Sequence, residues 1–186
     1  ARRLAESRRA LFAARNGRVR PHRDDKVLTS WNGLMIAALA YGAPTLDEPR
    51  YLTAAEEAAA FILKTLTKEG VLLRRYRDGE ARFPGTLEDY AFFSYGLLEL
   101  YEAGFDERWL AHAKRVTEQM LERFWDEQGG GLFLRGKDEP PLLVPTKESY
   151  DGATPSGNSI AALVLLNVGR LTAEDRLHQL RQLVRV

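Results

Sequence analysis

The stretch Asp151-Gly-Ala-Thr-Pro-Ser-Gly-Asn158 leads into the apolar run Ser159 to Val168, and this combination is the clearest guide to the fold. Near the start of the chain, Asp25-Lys-Val-Leu-Thr-Ser-Trp-Asn32 leads into a similar run, Gly33 to Tyr41. In both stretches an acidic residue precedes an asparagine by seven positions. A polar entrance to an apolar helix thus occurs at two places, which indicates an internal repeat.

A third copy lies between these two. Glu88-Asp89-Tyr90 leads into the apolar run Ala91 to Tyr101, and Glu88 is midway between Asp25 and Asp151. The chain therefore repeats with a period of about sixty residues. The three runs are nearly all apolar, so we expect each to form an inner helix, and the first of them to be covered all round.

Each inner helix is followed by an amphipathic helix, which has apolar residues on one face and charged residues on the other. These outer helices are predicted over Tyr51 to Leu66, Glu107 to Trp125 and Thr172 to Val184. A further helix with an arginine-rich face is predicted over residues 1 to 16. The sequence thus alternates between inner helices and outer helices that are buried on one side.

Capping and breaking residues predict where the helices begin and end. Ser30 is the predicted N-cap of the first inner helix, which Gly42 and Pro44 are predicted to stop. The third inner helix is predicted to end near Gly169, and Thr172 is the predicted N-cap of the last outer helix.

The connections between helices differ in length. Those from inner to outer helices are short, whereas those from outer to inner helices are long. Val71 to Arg77 and Glu80 to Phe83 predict a β-hairpin around the Asp78-Gly79 turn. Residues 129 to 139 predict a second hairpin or an irregular loop. Stacked antiparallel helix pairs place all long connections at one end, so the inner helices should begin on one shared rim.

These features predict an all-α fold of the (α/α) toroid type, in which two concentric layers of antiparallel helices form a ring. We expect residues 1–186 to be a single partial domain of about three helical hairpins, with an N-terminal helix and short β-hairpin insertions. Closing the ring takes more hairpins than these. The chain is therefore a fragment, an open solenoid, or a domain completed by self-association or by a missing partner domain.

Composition excludes several classes of function. The 186-residue chain has a formal net charge of +1, so no global field would attract nucleic acid or an anionic membrane. No charge-free apolar run approaches the ~20 residues of a membrane span. The chain has no cysteine, and its three histidines lack metal-ligand spacing. We expect a cytoplasmic protein without a metal, a cofactor, or a nucleic-acid or membrane partner.

A family resemblance rests on the string Pro21-His-Arg-Asp-Asp-Lys-Val-Leu-Thr-Ser-Trp-Asn-Gly-Leu-Met-Ile-Ala-Ala-Leu-Ala40. This string resembles the signature of the YyaL or spermatogenesis-associated protein 20-like family, which is thioredoxin-related. Leu87-Glu-Asp-Tyr-Ala91 and Tyr150-Asp-Gly-Ala-Thr-Pro-Ser-Gly-Asn158 resemble its later motifs in the same order. The resemblance extends to about Val168. It implies a six-hairpin barrel similar to that of glycosidases and of N-acylglucosamine 2-epimerase.

The chain departs from that family in two respects. The thioredoxin-like domain expected at the N-terminus of such proteins is absent from this chain, as is cysteine. The helical hairpins expected before and after this segment are absent as well. A redox role therefore cannot be carried over to these residues.

The rim residues offer the groups that sugar chemistry needs. Hydrolysis takes one carboxylic acid and one carboxylate, for which the catalytic candidates are Asp25, Glu88, Asp89 and Asp151. Aromatic rings could stack on a sugar, amides could bond its hydroxyls, and His22 or arginine could hold a ligand carboxylate. The substrate-binding candidates are His22, Trp31, Asn32, Arg75, Tyr90, Tyr150, Ser156 and Asn158. Epimerisation would need a base such as His22, which is a weaker interpretation.

The same residues also have purely structural interpretations. An acidic residue before a helix commonly caps it, which alone would account for Asp25, Glu88 and Asp151. The two asparagines could bond neighbouring loops, and the aromatic residues could pack in the core. Three hypotheses follow: a carbohydrate-binding or carbohydrate-processing barrel, a non-catalytic interaction module, and a structural fragment without activity of its own.

Overall fold

A computed structural model describes residues 2–140 and 143–184 of the chain. The helices of this part are α1 Arg2–Asn16, α2 Thr29–Thr45, α3 Pro49–Thr65, α4 Leu87–Gly104, α5 Glu107–Phe124, α6 Gly157–Thr172 and α7 Asp175–Leu183. Its strands are β1 Val27–Leu28, β2 Thr67–Lys68, β3 Val71–Arg77 and β4 Glu80–Pro84. The helices form part of a two-layered (α/α) toroid, as predicted, with α2, α4 and α6 in the inner layer.

The inner helices α2 and α4 touch through their backbones. A methyl group on Gly33 would lie 2.5 Å from the carbonyl carbon of Phe92, and one on Gly96 would lie 2.7 Å from the carbonyl oxygen of Gly33. Only glycine allows so close an approach, because any side chain would overlap backbone atoms that cannot move aside. Helix α4 is consequently the most enclosed element, packed against α2, α5 and α6.

Two contacts bring the beginnings of the inner helices together. The Ser30 backbone N–H, in the first turn of α2, donates to Asp89 in the first turn of α4 over 2.9 Å. At the first residue of α6, a methyl group on Gly157 would lie 2.8 Å from the Leu87 side chain and 3.4 Å from the Glu88 nitrogen. The three inner helices therefore begin at one end of the structure.

The outer helices bury one face each. Helix α3 buries Ala55, Ala59 and Ile62, which recur at helical spacing. Helix α5 begins at the N-cap Asp106, whose carboxylate accepts a hydrogen bond from the Arg108 N–H over 3.0 Å.

A small antiparallel sheet precedes α4. Strands β3 and β4 are joined by Asp78 and Gly79, which have φ values of 52° and 79° and form a two-residue hairpin loop as predicted. Strand β1 pairs with the far part of β3, so the chain just before α2 lies beside this hairpin. Within its described residues, the second long connection is irregular, with one isolated bridge between Trp125 and Leu132.

Several predicted helix ends are wrong. Helix α2 begins at Thr29 with Leu28 as N-cap, and it continues past Gly42 to Thr45 with Pro44 inside its last turn. The Leu46 N–H still bonds the Gly42 carbonyl there, so the proline removes a bond without ending the helix.

At the other end of the chain, α6 continues beyond Gly169 to Thr172, which is its last residue and not an N-cap. Ala173 ends α6 instead, because it takes a left-handed φ of 56° and its N–H bonds the Gly169 carbonyl. Helix α4 begins at Leu87, so Glu88, Asp89 and Tyr90 belong to its first turn and do not precede it.

The prediction of cover all round is also wrong for the first inner helix, α2. Its residues Trp31, Met35 and Tyr41 are exposed. The partial ring leaves the side of α2 away from α4 without a neighbouring helix in the described part of the chain. Helix α1 is exposed along its whole length, including its apolar residues. None of the described helices is both long and apolar enough to cross a membrane.

Candidate functional site

Asp89 joins two inner helices. Its side chain is buried, with an exposed fraction of 1%. One carboxylate oxygen accepts the Ser30 N–H over 2.9 Å, and the other accepts the Thr86 N–H over 2.9 Å in a capping box. Burial raises the pKa of Asp89, and these hydrogen bonds oppose that shift. Asp89 is therefore a structural joint, in contrast to the rim carboxylate expected from the sequence.

Glu88, the preceding residue, has a different environment. Its side chain is half-buried, and it makes no hydrogen bond or ion pair with any other described residue. Burial raises the pKa of Glu88, the carboxylates of Glu148 and Asp89 raise it further, and the Arg74 guanidinium opposes them. A carboxyl group that is partly desolvated and has no partner keeps its proton to a higher pH than an ordinary glutamate does, which suits a proton donor.

A cleft of about 500 Å³ lies between the start of α2 and the hairpin. It is lined by Asp24, Lys26, Leu28, Trp31, Arg74, Arg75 and Phe83. Trp31 and Phe83 are 66% and 58% exposed, so both rings are available to a ligand. The Arg75 guanidinium lies 5.2 Å from the centre of the Phe83 ring, in cation–π geometry. Arg74 lines this cleft, and its charge also opposes the rise in the pKa of Glu88.

The acidic residues before α2 are held by basic neighbours. Asp24 accepts a hydrogen bond from Lys26 over 2.9 Å, which lowers the pKa of Asp24. Asp25 pairs with Arg77 of β3 over 3.1 Å. Asp25 thus ties the segment before α2 to the hairpin and does not cap the helix, which corrects that structural interpretation.

The beginning of α6 uses its polar groups within the loop and the first turn. Ser156 is the N-cap and accepts the Ser159 N–H over 3.1 Å. Asp151 accepts the Ser156 N–H over 2.8 Å, and this bond lowers the pKa of Asp151. Asp151 thus bonds the N-cap residue and is not itself the N-cap. It is exposed and remains ionised at neutral pH.

Both asparagines bond the backbone. Asn158 is buried, donates to the carbonyls of Leu132 and Glu148 over 3.0 and 2.8 Å, and accepts the Leu132 N–H over 2.9 Å. Asn32 donates to the Leu28 carbonyl over 2.8 Å within the first turn of α2. Asn158 therefore holds two loops to α6 and offers no free group to a sugar, which corrects its predicted binding role.

The remaining candidates are scattered. Tyr90 is fully buried, accepts the Leu72 N–H over 3.0 Å and meets Phe124 edge to face, so it packs in the core and cannot stack on a ligand. Tyr150 and His22 are exposed on separate loops, and neither lines the cleft. Of the twelve predicted site residues, the cleft contains Trp31 and Arg75.

The sequence did not single out three residues that matter for this geometry: Lys26, Phe83 and Glu148. Glu148 could have been included, because it lies two positions before Tyr150 in the connection to α6. Phe83 gave no such signal, since its exposure accompanies a left-handed φ of 66° that is rare for a bulky residue.

Comparison with known proteins places these observations in context. No protein-family model matches the chain. The human protein named spermatogenesis-associated protein 20 is 38% identical to it in an alignment of 173 positions, which covers 87% of this chain. The chain spans only 22% of the length of that relative.

Solved structures with similar folds include carbohydrate-processing enzymes. Cellobiose 2-epimerase from Spirochaeta thermophila superimposes with a TM-score of 0.69 at 19% identity, over 86% of this chain and 42% of the enzyme. Unsaturated glucuronyl hydrolase from Bacillus sp. GL1 gives 0.68 at 17% identity, over 89% and 48%. At these identities the likeness concerns the fold. The chain is therefore a partial region of the spermatogenesis-associated protein 20-like type, and it folds as part of a six-hairpin (α/α) toroid.

Proposed function

We propose that this region contributes to a carbohydrate-processing site on the rim where the inner helices begin, with Glu88 as its proton donor. The observation that carries the proposal is the state of Glu88: half-buried, with a raised pKa, and without a partner among the described residues. The fold shared with an epimerase and a hydrolase of sugars supports a sugar as the substrate. Exposed Trp31 and Phe83 offer ring faces to it.

The chemistry assigned to the rim is the cleavage of a glycosidic bond. Glu88 would donate its proton to the leaving oxygen, and an ionised carboxylate would activate water. Asp151 is the candidate for the second role, because its lowered pKa keeps it charged and α6 begins against the backbone of Glu88. Two carboxyl groups with pKa values shifted in opposite directions are typical of an acid and a base.

The test is glycosidase activity of a Glu88→Gln variant, measured on a panel of aryl glycosides. Glu99→Gln is the matched control, because Glu99 is also half-buried on α4 with a pKa raised by burial, yet lies roughly 16 Å further along the helix. Loss of a general acid lowers turnover by about 10²–10⁴-fold. We expect that loss for Glu88→Gln alone, and the wild-type rate should fall as pH rises through the raised pKa. Equal rates in the two variants would contradict the proposal.

The exposed apolar face of α2 supports a second candidate function. Trp31, Met35 and Tyr41 lie on this face, and exposed apolar patches commonly mark interaction sites. The region would then act as a cytoplasmic scaffold that docks a partner domain or a second copy. Sedimentation of the wild type and a Met35→Glu/Tyr41→Glu variant tests this. An assembly lost in the variant favours the scaffold, and a monomer in both cases contradicts self-association.

A further inference from the structure

We propose that the cleft beside Trp31 binds the anionic group of an acidic sugar through Arg74 and Arg75. This inference rests on the proposed function, because it names the class of carbohydrate that the same rim would take. It follows from the charges, the orphan donor and the aromatic rings of the cleft.

Two guanidinium groups of the cleft have no ion-pair partner among the described residues. Its lysine and its aspartate, Lys26 and Asp24, pair with each other over 2.9 Å. Arg74 and Arg75 make no ion pair with any residue in the described ranges 2–140 and 143–184. The neighbouring Arg77 and Arg82, by contrast, are paired with Asp25 and Glu80. The cleft therefore presents net positive charge to a ligand.

Arg75 also carries a donor that lacks an acceptor. Its Nε is buried and makes no hydrogen bond with any described residue. A buried donor without a partner is costly, and an incoming oxygen would remove that cost. The guanidinium lies over the Phe83 ring, and a guanidinium suits a planar carboxylate because it can bind one through two parallel hydrogen bonds.

The aromatic residues of the cleft suit the sugar ring that bears the anion. Phe83 takes a φ of 66°, which is strained for a bulky residue, and its ring remains 58% exposed at the cleft. Trp31 faces the same cleft from α2 and is 66% exposed. Two exposed rings beside two free arginines match a ligand that has an apolar ring face and a negatively charged edge.

Calorimetric titration of the full natural chain tests the inference with three methyl glycosides: a glucuronide, a glucose 6-sulfate and the neutral glucoside. The first two separate a carboxylate from another anion, and the third reports sugar binding alone. We expect the glucuronide to bind roughly tenfold or more tightly than the glucoside, since charged hydrogen bonds are the stronger class. The sulfate should gain less, because it does not match a planar fork.

Arg75→Gln should remove the preference for the acidic sugar without weakening the binding of the neutral sugar. Arg82→Gln is the control, because this substitution removes the same charge. Arg82 lies opposite Arg75 in the hairpin register, but its guanidinium is paired with Glu80 over 2.7 Å. Melting curves of both variants confirm that they are folded. Equal losses in the two variants would show a diffuse charge effect and overturn the assignment to Arg75.

Failure of this inference is distinguishable from failure of the proposed function. If the acidic and neutral sugars bind equally well, the cleft does not select an anion, yet the rim still binds carbohydrate. If no sugar binds, both ideas fail. If the acidic sugar is preferred but Glu88→Gln leaves turnover unchanged, the anion site stands and the catalytic role of Glu88 is overturned.

Discussion

The beginnings of α4 and α6 both place acidic residues at the entrance to an apolar helix, but they use their carboxylates differently. At α6, Asp151 accepts the Ser156 N–H and Asn158 bonds two loops, so each of these polar groups already has a partner within the structure. At α4, Asp89 does the same work, whereas Glu88 beside it bonds no described residue. Every copy of a repeat needs polar side chains that hold its helices together. The carboxyl group of Glu88 forms no such bond, so it is the better candidate for catalysis.

The largest effect should come from breaking the joint at α6. Asn158→Ala removes three hydrogen bonds and leaves the buried Leu132 N–H and two carbonyls without partners. We expect a loss of about 3–4 kcal/mol in the free energy of unfolding, measured by denaturant titration. Asn32→Ala, which removes one half-exposed bond, is the control and should cost about 0.5–1 kcal/mol. Similar losses in the two variants would show that Asn158 is not a special joint.

A somewhat smaller effect is expected at the joint of α4. Asp89→Ala removes the capping box and the bond to Ser30, and we expect it to cost about 2 kcal/mol. Glu88→Ala, at the adjacent position, removes no hydrogen bond and should leave unfolding almost unchanged. Parallel denaturation curves decide between them. If Glu88→Ala were as damaging as Asp89→Ala, the contrast between the two carboxylates would be wrong.

The smallest effect concerns the dependence of stability on pH, and its sign should differ between the two helices. The folded-state pKa of Glu88 is raised, so its contribution to stability is complete below the unfolded pKa and is lost as pH rises through the folded pKa. Glu88→Gln should therefore become more stable than the wild type as pH increases from acidic to neutral.

For Asp151 the folded pKa is lowered, so its contribution is present above the unfolded pKa and is lost as pH falls through the folded pKa. Asp151→Asn should be slightly less stable than the wild type at neutral pH, and the difference should shrink in acid. Denaturation midpoints at several pH values measure both trends. Trends of the same sign would remove the distinction between the two helix beginnings.

The helical repeat could be predicted from sequence because periodicity and capping residues act locally. The alternation of inner and outer helices, the Asp78-Gly79 turn and the shared rim all follow from such signals. Helix ends were less predictable, since Pro44 and Gly169 were tolerated inside helices whose packing continued past them. The sequence could not predict which rim residues bond other parts of the structure and which remain available to a ligand. Whether Asn158 faces a ligand or two loops depends on residues 26 and 10 positions away.

The same limit applies to neighbouring residues. Glu88 and Asp89 carry the same chemical group, and the difference between them arises because the Ser30 backbone, 59 positions earlier, approaches only one of them. The cleft likewise depends on Phe83, whose left-handed backbone places an aromatic ring beside Arg75. Such features emerge from tertiary contacts, which no local pattern in the chain records.

Titration of the glutamate and aspartate side-chain carboxyls by carbon NMR, assigned with Glu88→Gln and Asp151→Asn, is the sharpest test of the role given to Glu88. We expect the pKa of Glu88 to lie clearly above the usual glutamate value of about 4.3, and the pKa of Asp151 to lie below the usual aspartate value. A Glu88 pKa at or below the usual value would show that this carboxyl group is paired or fully solvated. It would contradict the role of Glu88 as the proton-holding group of the rim.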